Sequence, residues 1–346
     1  MLSAASPGQF LLLRRAFLRG VLFLGMLGIA LVGGEVVRVT LGPNVHEVVA
    51  GRVYRSAQLD EAHLRTVVER LGIRTIVNLR GCCPQEPWYQ EEQRIARQLG
   101  LAHYDINFSS YLTPAVPELQ KLVELLDRAP HPVLLHCRRG ADRTSLAAMT
   151  AALLEPSTDL TDARGQLSWR YGHVPLGRVK AMSEVFDSYR DWLTEKSHAH
   201  TPDLFRQWVK TEYRPGHCWA EIEPLSVPAN VPLGRPQAAR FRVHNRSKLT
   251  WQFRQAAHVG VHLRCFLLHE KGAYGVLTAA GFFDQEVPPG HSIDLTVALP
   301  ALTQPGKYSL LVDMSDEQSC WFFMVGSPPY RQTLEVKDDA KPVPSR

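Results

Sequence analysis

One ten-residue segment constrains the fold of this chain more than any other. It runs from His136 to Ser145 (HCRRGADRTS), follows the apolar run Pro132–Leu135 and precedes an alanine-rich stretch of helical composition. The pattern predicts a strand, a tight turn and the start of a helix. Backbone N–H groups in such a turn converge on one point, and the helix N-terminus adds partial positive charge there. The segment therefore predicts an anion-binding loop that begins at Cys137 and ends at Arg143.

The side chains of this loop suit phosphate chemistry. A cysteine at the head of such a turn is expected to react as its thiolate, and Arg143 can hold a phosphate through two parallel N–H···O bonds. A cysteine, five residues and then Arg-Thr resembles the signature of the cysteine-dependent phosphatases. The alternative interpretation of the segment is a buried cysteine beside a surface helix.

Further segments extend this resemblance over residues 47–197. Residues 53–59 (VYRSAQL) and 72–80 (GIRTIVNLR) resemble the opening of bacterial dual-specificity-type phosphatases, and Tyr171-Gly172-His173 resembles the segment after their catalytic helix. Short strand and helix patterns alternate over the same range, which favours an α/β fold with helices on the faces of a central sheet. We assign residues 45–200 to a phosphatase domain.

The resemblance implies a role for several loop residues. Cys137 would attack phosphorus to form a cysteinyl-phosphate, which water then hydrolyses. The Arg143 guanidinium and the loop amides would hold the equatorial oxygens, and the Thr144 hydroxyl would ease departure of the thiolate. His136 would orient the loop and tune Cys137, or would only bond to the backbone. The resemblance implies no metal and no cofactor.

Two carboxylates compete for the role of general acid. Dual-specificity phosphatases carry an aspartate on a loop upstream of the cysteine, which would be Asp105, and no other carboxylate stands between it and Glu118. Myotubularin-like phosphatases carry an aspartate directly before the loop arginine, which would be Asp142. A third interpretation gives both residues structural roles only.

The substrate-binding part of the loop is predicted to be Arg138, Arg139, Gly140 and Ala141. The two arginines form a solvated rim or bind additional phosphates, as in a phosphoinositide, an inositol phosphate or another anionic lipid, and a phosphoprotein substrate is also open. The net charge of +5 is mild. The sequence has no segment in which basic residues alternate with aromatic ones, so it does not predict nucleic-acid binding. The competing function is a catalytically idle phosphate-binding module that recruits a partner, unidentified by the sequence, through the C-terminal region.

The C-terminal region has a different pattern. After a linker predicted at residues 201–215, short alternating strands separated by Pro-Gly turns indicate an all-β sandwich over residues 216–337. Asn245-Arg246-Ser247, Trp251 and a Trp-Phe-Phe strand resemble immunoglobulin-like accessory modules of bacterial enzymes. The tail, residues 338–346, is predicted to be disordered.

The N-terminal residues 1–40 predict a membrane anchor or a signal. Ala16 to Gly34 is apolar except for Arg19, and Arg14 and Arg15 precede it. Such a stretch is just long enough for a transmembrane helix, and a cleaved secretory or twin-arginine signal is the alternative. We favour a single-pass anchor, and the placement of the arginines predicts an extracytoplasmic catalytic domain.

Overall fold

The computed structural model describes residues 42–174, 177–272, 275–317 and 320–337, together with Met26 and Gly34. The chain divides into two compact units. The first, here the α/β unit, comprises residues 1–110, 123–183 and 200–202. The second, here the β unit, comprises residues 111–122, 184–199 and 203–346.

The α/β unit is built on one five-stranded sheet with the order β1-β2-β5-β3-β4. Its strands are β1 (His46–Val49), β2 (Val53–Ser56), β3 (Thr75–Asn78), β4 (Ala102–Asp105) and β5 (Val133–His136). β1 pairs antiparallel with β2, and all other pairs are parallel. Every residue of β3 and β5 is buried, as expected for central parallel strands covered on both faces. The sheet confirms the predicted α/β fold.

The helices begin and end where the sequence provides start and stop signals. Asp60 caps the first helix by accepting a hydrogen bond of 2.9 Å from the backbone of His63, and Gly72 ends it with φ of 63°. The described helices are α1 (Glu61–Leu71), α2 (Pro87–Gln98), α3 (Val116–Arg128), α4 (Asp142–Leu153), α5 (Leu160–Gly165), α6 (Ala181–Glu195) and α7 (Pro202–Thr211). Short 3₁₀ turns occupy Trp169–Tyr171 and Gly177–Lys180.

Some elements differ from the sequence expectations. The sequence pattern predicts a helix from near Glu91 to Leu99, whereas α2 begins at Pro87, because proline is favourable in the first helical turn. The pattern also predicts a strand from Ala102 to Phe108, whereas β4 ends at Asp105. The segment 201–215, expected as a linker, holds α7, whose apolar side chains Phe205, Trp208 and Val209 are buried.

The β unit contains antiparallel sheets that share one core. Its strands are β6 (Ala220–Ser226), β7 (Asn230–Pro232), β8 (Gln237–Asn245), β9 (Trp251–Phe253), β10 (Val261–His269), β11 (Gly275–Ala280), β12 (Gln285–Val287), β13 (Ser292–Leu299), β14 (Gly306–Asp316), β15 (Cys320–Trp321) and β16 (Tyr330–Lys337). One sheet has the order β11-β10-β14-β16-β7 with β15 beside β14, a second has the order β13-β8-β6, and β12 pairs with β9. All pairs are antiparallel except β16 with β7.

The core of the β unit follows the strand alternation. On β13 every second side chain is buried, and its buried residues pack in one cluster with those of β8, β10 and β14. Trp251 and Phe322 lie fully buried in that cluster. The predicted Trp-Phe-Phe strand is wrong in part: β15 ends at Trp321, and Phe322–Val325 form a 3₁₀ turn. The all-β character is as expected, and the immunoglobulin-like classification stays a prediction.

Apart from Met26 and Gly34, the predicted anchor at residues 1–40 and the predicted tail at 338–346 lie outside the described residues. Within the parts of the chain that the structure describes, no helix combines the length and hydropathy needed to cross a bilayer.

Candidate active site

Strand β5 delivers Cys137 to the carboxyl end of the sheet, where the backbone turns into α4. The backbone N–H of Leu79 donates to the carbonyl of His136 over 2.9 Å, which fixes the base of the turn. The Cys137 side chain is 3% exposed. Gly140 has φ of 66°, and a Cβ there would lie 2.6 Å from the backbone carbonyl of Ser56. The loop therefore packs so closely on β2 that only glycine fits at this position.

The loop leaves its hydrogen-bond donors free for a ligand. Within the described residues, the backbone N–H groups from Arg138 to Thr144 donate to no other protein group. The Nε of Arg143 and the Oγ1 of Thr144 are buried and also lack a partner there. Buried donors without acceptors are costly, so a group of them around one cysteine indicates a site for an anion. The structure thus brings Cys137, Arg143 and Thr144 together as the sequence predicts.

Asn44 and Arg55 support the loop from behind. The Asn44 side-chain amide donates to the carbonyls of Arg139, Gly140 and Tyr171, each over 3.2 Å. The Arg55 guanidinium donates to the Gly140 carbonyl at 3.0 Å and to the Ser145 hydroxyl at 2.7 Å. By occupying the loop carbonyls, these side chains leave the loop amides directed to the other side.

Arg55 is also a buried charge beneath the site. It is 0% exposed, donates to the backbone and side-chain oxygens of Gln166, and lies 4.0 Å from the centre of the Tyr171 ring. Burial lowers the pKa of Arg55 to about 10, and Tyr171 and Cys137 act in the opposite direction. The guanidinium therefore remains charged at neutral pH and adds a fixed positive charge near Cys137.

His136 belongs to a buried network centred on Glu92 of helix α2. The Nε2 atoms of His136 and His103 lie 3.1 and 2.9 Å from the same oxygen, Oε1 of Glu92. The Gln58 amide donates to the other oxygen over 2.5 Å. His136 and Glu92 are 2% and 4% exposed. Because a carboxylate only accepts, each imidazole donates through Nε2. His136 therefore bonds to a side chain, not only to backbone.

The charge of Glu92 follows from these partners. Burial alone would raise the pKa of its carboxyl, but the imidazoles of His136 and His103 outweigh burial and hold the pKa well below its usual value of 4.5. The ionised Glu92 carboxylate thus contacts His136, the residue before Cys137.

Asp105 lies at the same end of the sheet as Cys137. In the parallel register, Asn78 of β3 is aligned with both Asp105 and His136. The carboxylate accepts hydrogen bonds from the Asn78 amide at 2.8 Å and from the Tyr89 hydroxyl at 2.5 Å. Burial and this carboxylate raise the pKa of Tyr89, so the phenol remains a donor. The placement suits either a general acid or a residue that orders the strand ends.

Asp142, the second candidate acid, is the first residue of α4. Its carboxylate lies 3.0 Å from Nδ1 of His173, and the other ring nitrogen of His173 lies 3.0 Å from the Ser183 hydroxyl. His173 is fully buried. The Asp142 side chain is therefore tied to a structural partner, while 28% of it remains exposed. Which of the two aspartates donates the proton stays a prediction.

The predicted substrate-binding residues divide into two pairs. Arg138 and Arg139 are exposed, whereas Gly140 and Ala141 are buried under the loop. A third cation, Arg80, adjoins the site through the base of the turn, because Leu79 bonds to His136. The exposed rim is thus more basic than the loop sequence alone predicts.

The sequence alone does not single out four residues that contact or adjoin the site: Asn44, Arg55, Arg80 and Glu92. Two of them carry a recognisable signal. Arg55 is a charged residue inside a strand in which Val53 and Ser56 are also buried. Glu92 interrupts the buried face of α2, which also presents Tyr89, Ile95 and Ala96. A charge on the apolar face of an element requires a buried partner. Arg55 bonds to Gly140 of the catalytic loop, and Glu92 bonds to His136, the residue before that loop.

Comparison with known proteins adds independent information on the α/β unit. The model described as the tyrosine phosphatase family matches residues 39–159. The inositol diphosphatase DSP1 of Oryza sativa subsp. japonica is 37% identical over 97 residues, which is 27% of this chain and 41% of the rice protein. The chain thus matches less than half the length of that relative.

Two solved structures are among those that are similar to part of this chain. The core catalytic domain of the PP-IP phosphatase SIW14 from S. cerevisiae shares 23% identity at a TM-score of 0.34, over 44% of this chain and 93% of that one. TpbA of P. aeruginosa shares 21% identity at a TM-score of 0.34, over 42% and 84%. The match to the tyrosine phosphatase family includes the loop around Cys137, so residues 39–159 are similar to proteins of that family.

Proposed function

We propose that the α/β unit is a phosphomonoester hydrolase that works through a cysteinyl-phosphate intermediate. The observation that carries the proposal is the set of unpaired donors around Cys137: the loop amides, the Arg143 Nε and the Thr144 hydroxyl. They surround the one nucleophilic side chain at the head of the loop. A dianionic phosphoryl group supplies the acceptors that these donors lack.

The chemistry proceeds in two displacements. The Cys137 thiolate attacks phosphorus, the bond from phosphorus to the leaving oxygen breaks, and the general acid, Asp105 or Asp142, gives that oxygen its proton. Water then attacks the phosphocysteine, the same carboxylate takes the proton of that water, and inorganic phosphate leaves as the thiolate re-forms. Arg143 and the loop amides hold the equatorial oxygens in both steps, and the Thr144 hydroxyl stabilises the departing thiolate.

The substrate class follows from the charge around the loop. Arg138 and Arg139 are exposed, so they reach anionic groups next to the phosphoryl group that is transferred. This arrangement supports polyanionic substrates, namely phosphoinositides, other anionic phospholipids or inositol phosphates, and the name of the rice relative points to phosphorylated inositols. Phosphoproteins remain part of the proposal, as does membrane attachment of the chain with an extracytoplasmic catalytic domain.

Turnover of p-nitrophenyl phosphate by Cys137→Ser distinguishes a phosphomonoester hydrolase from a catalytically idle phosphate-binding module. We expect the variant to lose turnover and still to bind vanadate, because the amides and Arg143 remain. The exposed Cys82 allows a matched control, and Cys82→Ser should keep wild-type turnover. Wild-type protein that binds vanadate without hydrolysing any phosphoester in a panel of phosphopeptides, phosphoinositides and inositol phosphates would establish the idle module instead.

A further inference from the structure

Arg80 lies next to the catalytic loop, and the described part of the chain gives it no partner of opposite charge. It lies two residues after the end of β3, and its neighbour Leu79 bonds to His136, the neighbour of Cys137. Its backbone N–H donates to the Asn78 side chain over 2.9 Å, which fixes the turn. Two adjacent strands thus bring Arg80 and Cys137 to the same level at the same end of the sheet.

The Arg80 side chain has a defined position. Its guanidinium carbon lies 3.5 Å from the centre of the Trp88 ring, and Nη1 donates to the Gln58 side chain over 3.3 Å. Gln58 in turn donates through its backbone to the carbonyl of Arg138 and through its amide to Glu92. A guanidinium stacked on an indole keeps its edge free for a planar, bidentate contact with an anion.

The surroundings of Arg80 are positive. In the described residues no carboxylate pairs with it, and its only hydrogen bond through the guanidinium is the one to Gln58. Burial and the charges of Arg143 and Arg138 lower its pKa, and the thiols of Cys83 and Cys137 act in the opposite direction. Three arginines close to one cysteine repel one another, and a bound polyanion relieves that repulsion. A single phosphoryl group is already bound by Arg143 and the loop amides, so it makes no contact with Arg80.

We propose that Arg80, stacked on Trp88, binds a second phosphoryl group of the ligand next to the one held by the Cys137–Arg143 loop. The site then prefers ligands with two adjacent phosphoryl groups over monophosphates. This inference rests on the proposed function, since it assumes that the loop holds the first phosphoryl group. Arg80 is in this view a specificity residue, and Trp88 positions it.

Calorimetric binding of methylenediphosphonate and methylphosphonate to the full-length protein tests the proposal, because neither ligand can be hydrolysed. We expect the wild type to bind the diphosphonate more tightly, and Arg80→Gln to reduce the ratio of the two affinities by about tenfold, the size of one charge-assisted hydrogen bond. Trp88→Leu should reduce the ratio by a smaller factor. The exposed Arg97 serves as the charge-matched control, and Arg97→Gln should leave the ratio unchanged.

The ratio is measured within each protein, so a partly unfolded sample does not change it. An affinity ratio in Arg80→Gln equal to that of the wild type, or an equal fall in Arg97→Gln, would overturn the proposal. Failure of the proposed function has a different signature: wild-type protein without any phosphoester hydrolysis, whatever the ratio of affinities.

Discussion

Replacing Glu92 by glutamine should destabilise the α/β unit while barely changing its shape. The carboxylate accepts hydrogen bonds from both His136 and His103 through one oxygen, and from Gln58 through the other. Hydrogen bonds to a charged group contribute about 1.5–3 kcal/mol each, and breaking a buried ion pair costs about 3–5 kcal/mol. Glutamine keeps one oxygen acceptor, so we expect the free energy of unfolding to fall by about 3 kcal/mol.

Hydrogen exchange followed by mass spectrometry measures this loss within the unit itself. Amides of β5 and α4 that exchange through global opening should exchange about 100-fold faster in Glu92→Gln, since each 1.4 kcal/mol is a factor of ten. Glu91 is the matched control, because it is the adjacent residue of the same helix and is exposed. Equal exchange in Glu91→Gln and Glu92→Gln at neutral pH would refute the assigned role of the buried carboxylate.

The effect of Glu92 should also depend on pH with a defined sign. Its pKa in the folded protein lies below the usual value of 4.5. A carboxyl with a depressed pKa contributes stability that is complete above the unfolded pKa and is lost as the pH falls through the folded pKa. The difference between wild type and Glu92→Gln should therefore be full near neutral pH and shrink below 4.5. A difference that grows on acidification would contradict this assignment.

Other substitutions test the loop and the acid. Gly140→Ala and Gly100→Ala both place a side chain at positive φ, which costs about 1–2 kcal/mol. Only the new Cβ at position 140 would meet backbone atoms, at 2.6 Å. Turnover should therefore be lost in Gly140→Ala and persist in Gly100→Ala. Arg143→Lys should lower kcat/KM at least about 100-fold, because an ammonium lacks the planar fork; a near-normal value would exclude this loop as the active site. Asp105→Asn should slow esters with poor leaving groups, remove the basic limb of the pH profile and spare activated aryl phosphates. The same pattern in Asp142→Asn alone would assign the acid to Asp142.

The catalytic loop could be predicted because its information is local. The apolar strand before Cys137, the spacing to Arg143 and the helix that follows all lie within one continuous segment. Asp60 and Gly72 likewise mark the ends of α1 from their own residue types. Local signals of this kind do not depend on which strands become neighbours.

The supports of the loop could not be predicted because they depend on the strand order. Only the placement of β5 between β2 and β3 brings Arg55 under Gly140 and Glu92 beside His136. The segment 201–215, predicted as a linker, instead holds α7. Phe205 and Trp208 are spaced for one face of a helix, but two aromatic residues among prolines and charges are a weak periodic signal.

The partners of the loop supports set a lower limit on the fragment that can fold alone. Asn44 donates to Tyr171, Arg55 donates to Gln166, and Asp142 is tied to His173. Each of these bonds reaches beyond residue 159, where the match to the phosphatase family ends. A truncation at that boundary would keep the nucleophile and remove both Gln166 acceptors of the fully buried Arg55 guanidinium. The autonomous catalytic fragment is therefore longer than the family signature, and trimming the chain to that signature should yield an insoluble product with an intact motif.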